Sequence, residues 1–467
     1  MMMAQNSARP ATIPKVLFSK ILSMMKCGKK LLIQFRKVNT YLLGRKMKKI
    51  FFLMFVCLPL MIHAQNLNGR FSSSFYTFER FDTTKTSDTF LRTFQALTLN
   101  LNYKDISIRT RTNFETNIGK GLDNDPRLRF YNLYFEARNL LEVFTLKLGR
   151  QPLFTPVAGG LFDGVNLKFK YANASLTGFY GGNVPAYQKL ELTNDLKNDY
   201  VLGGKFDINF LDHFNFGLSY IDKNFKADDY KAYRLNSDYD PVTLLILQKS
   251  NQYKFLSADA SYNLDGLLNI DTRYQYDVNF KTTSKFEISG RVQATEQLGL
   301  DLYYNFREPK IRYNSIFSVF NYGNSQEIEG GVDYKLNESF TLFGKFGNVT
   351  YENENSQRLT IGTNTKYGSF SYRKTLGYAG ELDAISAYTA YSLADGFITP
   401  SIGIAYTSYK LSKDAETNNI LSFLGGINLR PWTDYSFDLQ GQYFNNKIYK
   451  NDFRILFKVN HWFNTNF

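Results

Sequence analysis

From residue 65 onward, hydrophobic and polar positions alternate with a period of two. Leu268, Ile270, Thr272, Tyr274, Tyr276, Val278 and Phe280 are interleaved with Asn269, Asp271, Arg273, Gln275, Asp277 and Asn279. Phe286, Ile288, Gly290 and Val292 alternate with Glu287, Ser289, Arg291 and Gln293, and Leu298, Leu300, Leu302, Tyr304 and Phe306 with Asp301, Tyr303, Asn305 and Arg307. Val165, Leu167, Phe169 and Tyr171 do the same with Asn166, Lys168 and Lys170. Successive side chains of a strand point to opposite faces, so each run predicts a β-strand with one apolar and one polar face. No run shows the 3.6-residue period of a helix.

The runs come in pairs joined by tight turns. Ten such turns fall near 103–105, 138–142, 172–174, 211–213, 264–267, 294–297, 336–339, 367–369, 393–397 and 430–434. The connections between them are longer and more polar, the longest spanning roughly 183–199, 225–252 and 308–325. Short turns at one end and long loops at the other are the arrangement of outer-membrane barrels. Ten hairpins with a first strand near 66–79 and a last near 452–463 predict about 22 strands, or 18–22 if weak segments near 380–411 merge. The even count puts both termini on the short-turn side.

The two faces decide between water and lipid. A soluble sheet of this width would leave open edges prone to aggregation. In a membrane, closure into a barrel pairs every backbone group. The expected fold is therefore an all-β, transmembrane, antiparallel up-and-down β-barrel without a plug domain, over 65–467. The apolar face would meet lipid and the polar face would line a wet lumen. Aromatics gather at membrane interfaces. Trp432 and Trp462 both fall on the short-turn side and are expected in a periplasmic aromatic girdle.

Composition sharpens this picture. Aromatics make up 16% of the 467 residues, too many for a disordered chain. Mean hydropathy is −0.32 and only one short stretch is strongly apolar, which excludes a bundle of membrane helices. The formal charge of +14 would by itself point to nucleic acid as a partner. Residues 1–64, however, hold twelve Lys/Arg and no Asp or Glu, which leaves 44 basic and 42 acidic residues beyond them, a net of +2. No nucleic-acid partner is expected.

Lys48-Lys49 followed by the apolar run 50–62 and by His63-Ala64-Gln65 reads as a secretory signal peptide over 47–64. Thirteen apolar residues are too few to span a bilayer as an anchor. Residues 1–46 precede a signal with its own Met47, and are expected to be a disordered extension from a mis-assigned start. A basic cytoplasmic arm is the alternative. Export places the chain in the cell outer membrane. Both cysteines, Cys27 and Cys57, lie in this leader.

Alternation assigns the pore-lining positions: Arg109, Arg111, Lys147, Lys168 and Lys170 early, then Asp271, Arg273, Asp277, Glu287, Arg291, Asp301 and Arg307, with Asp438, Arg454 and Lys458 near the end. The early strands are biased positive. Rings and ladders of charge set pore selectivity, so anionic solutes are mildly favoured; charges that merely pair and keep the pore wet are the other reading. Beyond the leader only His213 and His461 occur, both at the short-turn side and far in sequence from a credible nucleophile, so no catalytic residue is expected. With no Cys or His cluster, no metal or cofactor is expected. Asp228, Asp229, Asp238 and Asp240 read as a solvated acidic loop rather than a calcium site.

Two stretches resemble known families. The last strand, with Phe453, Ile455, Phe457 and Val459 alternating with polar residues and a terminal Phe467, resembles the C-terminal signal of bacterial outer-membrane barrels, although His461 and Thr465 stand where that pattern is apolar. The resemblance implies recognition by the barrel-insertion machinery. The stretch Leu146-Lys147-Leu148-Gly149-Arg150-Gln151-Pro152, a loop with Val157-Ala158-Gly159-Gly160, and Phe162-Asp163-Gly164-Val165 resemble the "LGRQ … FDGV" hairpin of porins related to the alginate-export and phosphate-selective families. In such porins this loop often folds inward and narrows the pore. The likeness implies a pair between Arg150 and Asp163 at the base of a constriction loop, and covers about twenty residues closely. Alternation sets Arg150 on the face of Phe144, Leu146 and Leu148, so it must sit at the rim or after a bulge. The expected function is passive diffusion of small polar or anionic solutes, with outer-membrane lipid as surroundings and a homotrimer as one assembly. The alternative is a structural or adhesive barrel with a closed lumen and partner-binding loops.

Overall fold

The computed structural model describes residues 66–467, except 82–86, 120–124, 154–158, 185–190, 194, 212, 227–229, 248–251, 312, 314–318, 320–322, 353, 378–379, 413–414 and 448–451. The leader expected at 1–46 and the signal peptide expected at 47–64 lie outside the described residues.

Each period-two run forms a strand. In chain order these are β1 (Asn66–Phe81), β2 (Ser87–Tyr103), β3 (Ile106–Ile118), β4 (Arg127–Leu140), β5 (Phe144–Leu153), β6 (Gly160–Tyr171), β7 (Ala174–Val184), β8 (Tyr200–Phe210), β9 (Phe214–Lys223), β10 (Tyr230–Leu235), β11 (Pro241–Ile246) and β12 (Tyr253–Leu264). They continue as β13 (Leu268–Asp277), β14 (Thr282–Gln293), β15 (Leu298–Arg307), β16 (Ser325–Asn337), β17 (Phe340–Tyr351), β18 (Glu354–Thr365), β19 (Gly368–Gly377), β20 (Glu381–Ala390), β21 (Ile398–Lys410), β22 (Asn418–Trp432), β23 (Tyr435–Asn445) and β24 (Asp452–Asn466).

Twenty-two of these strands form one antiparallel sheet in which each pairs with its neighbours in sequence. β9 skips to β12, because β10 and β11 pair only with each other as a hairpin within the 224–252 connection. The sheet closes where β1 pairs with β24, Asn66 opposite Asn466 through Tyr76 opposite Leu456. Closure removes the edges that a sheet of this width would otherwise expose. All ten expected tight turns are present at one end, with both termini of the sheet, and 380–411 remains two separate strands.

The faces separate as the alternation requires. Tyr274, Phe286, Ile288, Leu300, Leu302 and Ile328 share one face, and all are exposed. Leu302 is 59% exposed, an arrangement that water would penalise and acyl chains would not. The opposite face carries Asp271, Arg273, Glu287, Arg291 and Asp301 in register with one another.

One strand ends earlier than its pattern predicts. The alternation runs to Phe280, but β13 stops at Asp277. The Asp277 carboxylate accepts hydrogen bonds from the backbone N–H groups of Asn279 (2.9 Å) and Phe280 (3.1 Å). A carboxylate that binds its own backbone two residues on makes a turn, and here it outcompetes the ladder.

Candidate functional site: the inner wall of the barrel

The inner wall is built from rows of charge held across neighbouring strands. Glu136 on β4 lies between Arg109 on β3 (2.9 Å) and Lys147 on β5 (3.4 Å), with its own side chain 7% exposed. Glu115 on β3 takes Arg92 of β2 at 2.7 Å and Arg129 of β4 at 3.1 Å. Arg291 on β14 reaches Asp301 on β15 (3.0 Å) and Asp333 on β16 (2.7 Å). Arg358 on β18 holds Glu327 and Glu329 of β16, each at 2.6 Å. Glu287 pairs with Lys285 at 2.6 Å and Arg273 at 3.9 Å, and accepts from the Tyr303 hydroxyl at 3.1 Å. Antiparallel pairing puts opposed side chains about 5 Å apart, so long ionic side chains in one row bridge directly.

The expected pore-lining residues fall on this face by register. Arg109 and Arg111 stand opposite Tyr134 and Asn132, and Lys147 opposite Glu136 and Asn166. Arg111 lies 5.5 Å from the Tyr131 ring, and the Arg307 guanidinium donates to Ser325 Oγ at 3.2 Å. Among the described residues, Lys168, Lys170 and Asp271 carry no ion pair, nor do Arg111, Asp277, Arg307, Asp438 and Lys458; Lys168 and Lys170 are exposed near the short-turn end of β6. Asp438 stands opposite Lys458, and Arg454 pairs with Asp452 at 2.6 Å. The early cations are thus less uncompensated than their count implies, because Glu115 and Glu136 are interleaved with them. The same alternation in β3, β4 and β16 would have identified Glu115, Glu136, Glu327, Glu329 and Asp333.

Six apolar residues also lie on this face: Leu153, Phe162, Phe179, Val201, Ile221 and Phe255, buried in one cluster across β5 to β9 and β12. They sit toward the long-loop end. Lys310, in the connection after β15, lies 5.4 Å from the Phe255 ring, and burial pushes its ammonium below the ordinary lysine range, with Lys285 and Arg273 adding to the effect. Alternation cannot reveal this cluster, since it breaks the polar pattern of the inner face. Below it, Tyr134, Lys147, Asn166, Thr177 and Lys205 line a recess of about 120 Å³.

The Arg150–Asp163 pair forms near the β5–β6 connection, on the apolar face to which alternation assigns Arg150. Its Nε–Oδ1 and Nη2–Oδ2 distances are 2.6 and 2.7 Å. Register puts Arg150 opposite Leu133 and Asp163, on the face of Leu148, Val165 and Tyr180, which are exposed apolar residues of the outer wall. The pair is covered by the β7–β8 connection: Arg150 donates to the Glu191 carbonyl at 2.8 Å, and the Thr193 N–H donates to Asp163 at 3.2 Å. The pair thereby ties the β7–β8 connection to the outer wall. Most of the expected constriction loop, 154–158, lies outside the described residues.

The two tryptophans part company. Trp432 is 61% exposed and meets Tyr435 at 5.9 Å on the outer wall, where Tyr435 stacks on His461 at 4.3 Å. That stacking explains how His461 is accommodated where an apolar residue was expected. Trp462 stands opposite Arg70 in the row below Asn460 and Lys458, on the inner wall. A girdle role suits Trp432 and not Trp462, because a one-residue step along a strand reverses the face. Phe467 follows the end of β24 and is exposed. His213 meets Tyr262 edge-on at 6.4 Å. In the 224–252 connection, Asn236 accepts from the N–H groups of Asp238 and Asp240 in a local turn; Asp228 and Asp229 lie outside the described residues.

No family model matches the chain, and no curated protein does. Among solved structures, the chain is similar to the translocation pore of the P pilus usher PapC, at 8% identity and a TM-score of 0.46, covering 85% of this chain and 99% of that one. It is similar to OccAB4 of Acinetobacter baumannii at 11% identity and a TM-score of 0.40, covering 86% and 98%. A BenF-like porin from Pseudomonas fluorescens gives 8% identity and a TM-score of 0.38, covering 87% and 100%. The barrel itself rests on the chain's own strand pairing, an all-β, closed, antiparallel sheet of 22 strands.

Proposed function

We propose that this barrel is an outer-membrane channel through which small polar or anionic solutes diffuse passively, delivered by the export signal expected at 47–64. One observation carries the reading: large apolar side chains are exposed around the outside of a closed barrel whose inner wall is laddered with charge. Lipid is the solvent that favours the first, and water is the solvent that favours the second.

Anions are favoured over cations by the exposed Lys168 and Lys170 at the short-turn mouth, which have no acidic partner among the described residues, whereas Arg109, Lys147 and Arg358 are matched within their rows. Selectivity is a field effect of such unmatched charges and needs no chemical step. Planar-bilayer recording of the purified protein is the test. Stepwise openings with an anion-selective reversal potential are expected, and Lys168→Glu with Lys170→Glu should move that potential toward cations. Silence across preparations that show a heat-modifiable gel band would favour the alternative, a structural or adhesive barrel with a closed lumen. A homotrimer and recognition of the last strand by the insertion machinery belong to the same proposal.

A further inference from the structure

We propose that the short-turn mouth holds a saccharide-binding recess, built from an asparagine collar and Trp462. The inner wall changes character there. Along β3 to β6 and β13 to β18 its rows are ionic; where β1, β2 and β24 meet, the inward row is Asn66, Asn68, Asn100, Asn102, Asn464 and Asn466. An open recess of about 1040 Å³ at this point is lined by Asn66, Asn68, Asn100 and Asn464 of this row, with Arg70 and Trp462.

The hydrogen bonds of the collar are distributed unevenly. Asn66 donates both amide hydrogens, to Asn464 Oδ1 at 2.6 Å and Asn466 Oδ1 at 2.7 Å. Its own Oδ1 accepts from Asn68 at 2.6 Å and Asn102 at 3.3 Å. Asn68 Oδ1 in turn accepts from Asn100 at 3.0 Å. An amide has two donors and two acceptor lone pairs, so Asn66 is spent as the hub. Among the described residues that line the recess, the amide nitrogen of Asn464 and the carbonyl oxygen of Asn100 are then left for a solute. Fixed, uncharged groups that offer donors and acceptors side by side match vicinal hydroxyls, each of which both donates and accepts. They offer an ion no net charge.

Trp462 supplies the second element. Its backbone is tied to the 433–434 turn through a hydrogen bond to the Asp434 carbonyl at 2.8 Å, and the Arg430 guanidinium lies 5.5 Å from its ring. An indole held on a polar wall gives the C–H face of a pyranose an apolar platform, while its hydroxyl edges meet the amides. Arg70, opposite Trp462, adds a further donor at the rim. The inference rests on the channel reading only for how solute arrives.

Trp432 and Trp462 are the only tryptophans in the sequence, so Trp432→Phe makes Trp462 the sole indole reporter. In detergent, titration of that variant with maltotriose should give a saturable change in emission. Asn68→Ala with Asn100→Ala in the same background should weaken it about tenfold or more, and Trp462→Phe, which leaves only Trp432, should abolish it. Each variant is first shown to keep its heat-modifiable gel band; if Trp432→Phe does not, competition of maltotriose with iodide quenching of the unmodified protein takes its place. No response, a response to glucuronate oligomers alone, or an equal response from the Trp462→Phe variant would overturn the proposal. Because binding is read without conductance, saturable binding in a silent barrel rejects the channel and keeps the recess. Conductance without binding does the reverse.

Discussion

Arg150 and Asp163 face each other across β5 and β6 in a two-pronged ion pair of 2.6 and 2.7 Å, with side chains only 4% and 6% exposed. The Glu191 carbonyl and the Thr193 N–H complete the pair's hydrogen bonds. Gly182 on β7 makes room for this cover, since a Cβ there would lie 2.3 Å from that of Thr193. Pair, glycine and loop form one unit.

Breaking that unit leaves a buried charge unpaired. Asp163→Ala or Arg150→Ala should cost roughly 3–5 kcal/mol locally, where a surface pair would cost under about 1. Limited trypsin digestion should cut first at Lys189 or Lys197, in the β7–β8 connection, well before the barrel loses its heat-modifiable band. Simultaneous loss of both would mean that the pair stabilises the whole barrel.

The two walls should respond oppositely to one substitution. Leu302→Arg, on the outer face, should destabilise the barrel in a bilayer by ~2–4 kcal/mol, whereas Ser289→Arg, on the inner face of the adjacent strand, should cost little. Urea titration of folding into lipid vesicles measures both. Equal costs would count against lipid as the outer solvent.

Arg358 sits between two carboxylates, each at 2.6 Å. Its side chain is about a third exposed, so Arg358→Ala should change stability by less than ~1 kcal/mol. It should nonetheless leave Glu327 unmatched on the wall, and Glu329 with only Lys345 at 3.9 Å. The reversal potential should move toward cations while unit conductance stays within about twofold.

Phe162 is fully buried, in contact with Phe179 at a ring separation of 5.9 Å. Phe162→Ala should cost about 3–5 kcal/mol through lost packing and a cavity. The same urea titration reads it, and a cost below 1 kcal/mol would show that the inner apolar cluster is dispensable.

What the sequence determined by itself was the barrel: strand number, turn polarity and the assignment of faces all follow from a period of two and from where polar turns interrupt it. These are local properties. Each residue's face is set by its neighbours within the strand, and the lipid-facing and lumen-facing sets separate without reference to distant contacts. The site was legible only to the same depth. Asp271, Arg273, Glu287, Arg291 and Asp301 could be placed on one wall, but that Arg291 is shared with Asp333 depends on which strands neighbour one another and in what register. Alternation already set Arg150 on the apolar face; tertiary structure alone decided that its pair with Asp163 is buried there beneath a loop, since both the β5–β6 register and a segment some thirty residues away are needed to cover it. It also decided that Trp432 turns outward, whereas Trp462 falls on the polar parity of β24 by alternation alone. Both lie beside the same turn, but the bulge at Leu429–Trp432 shifts the parity of Trp432, so only its pairing with Tyr435 of β23 fixes which way it points.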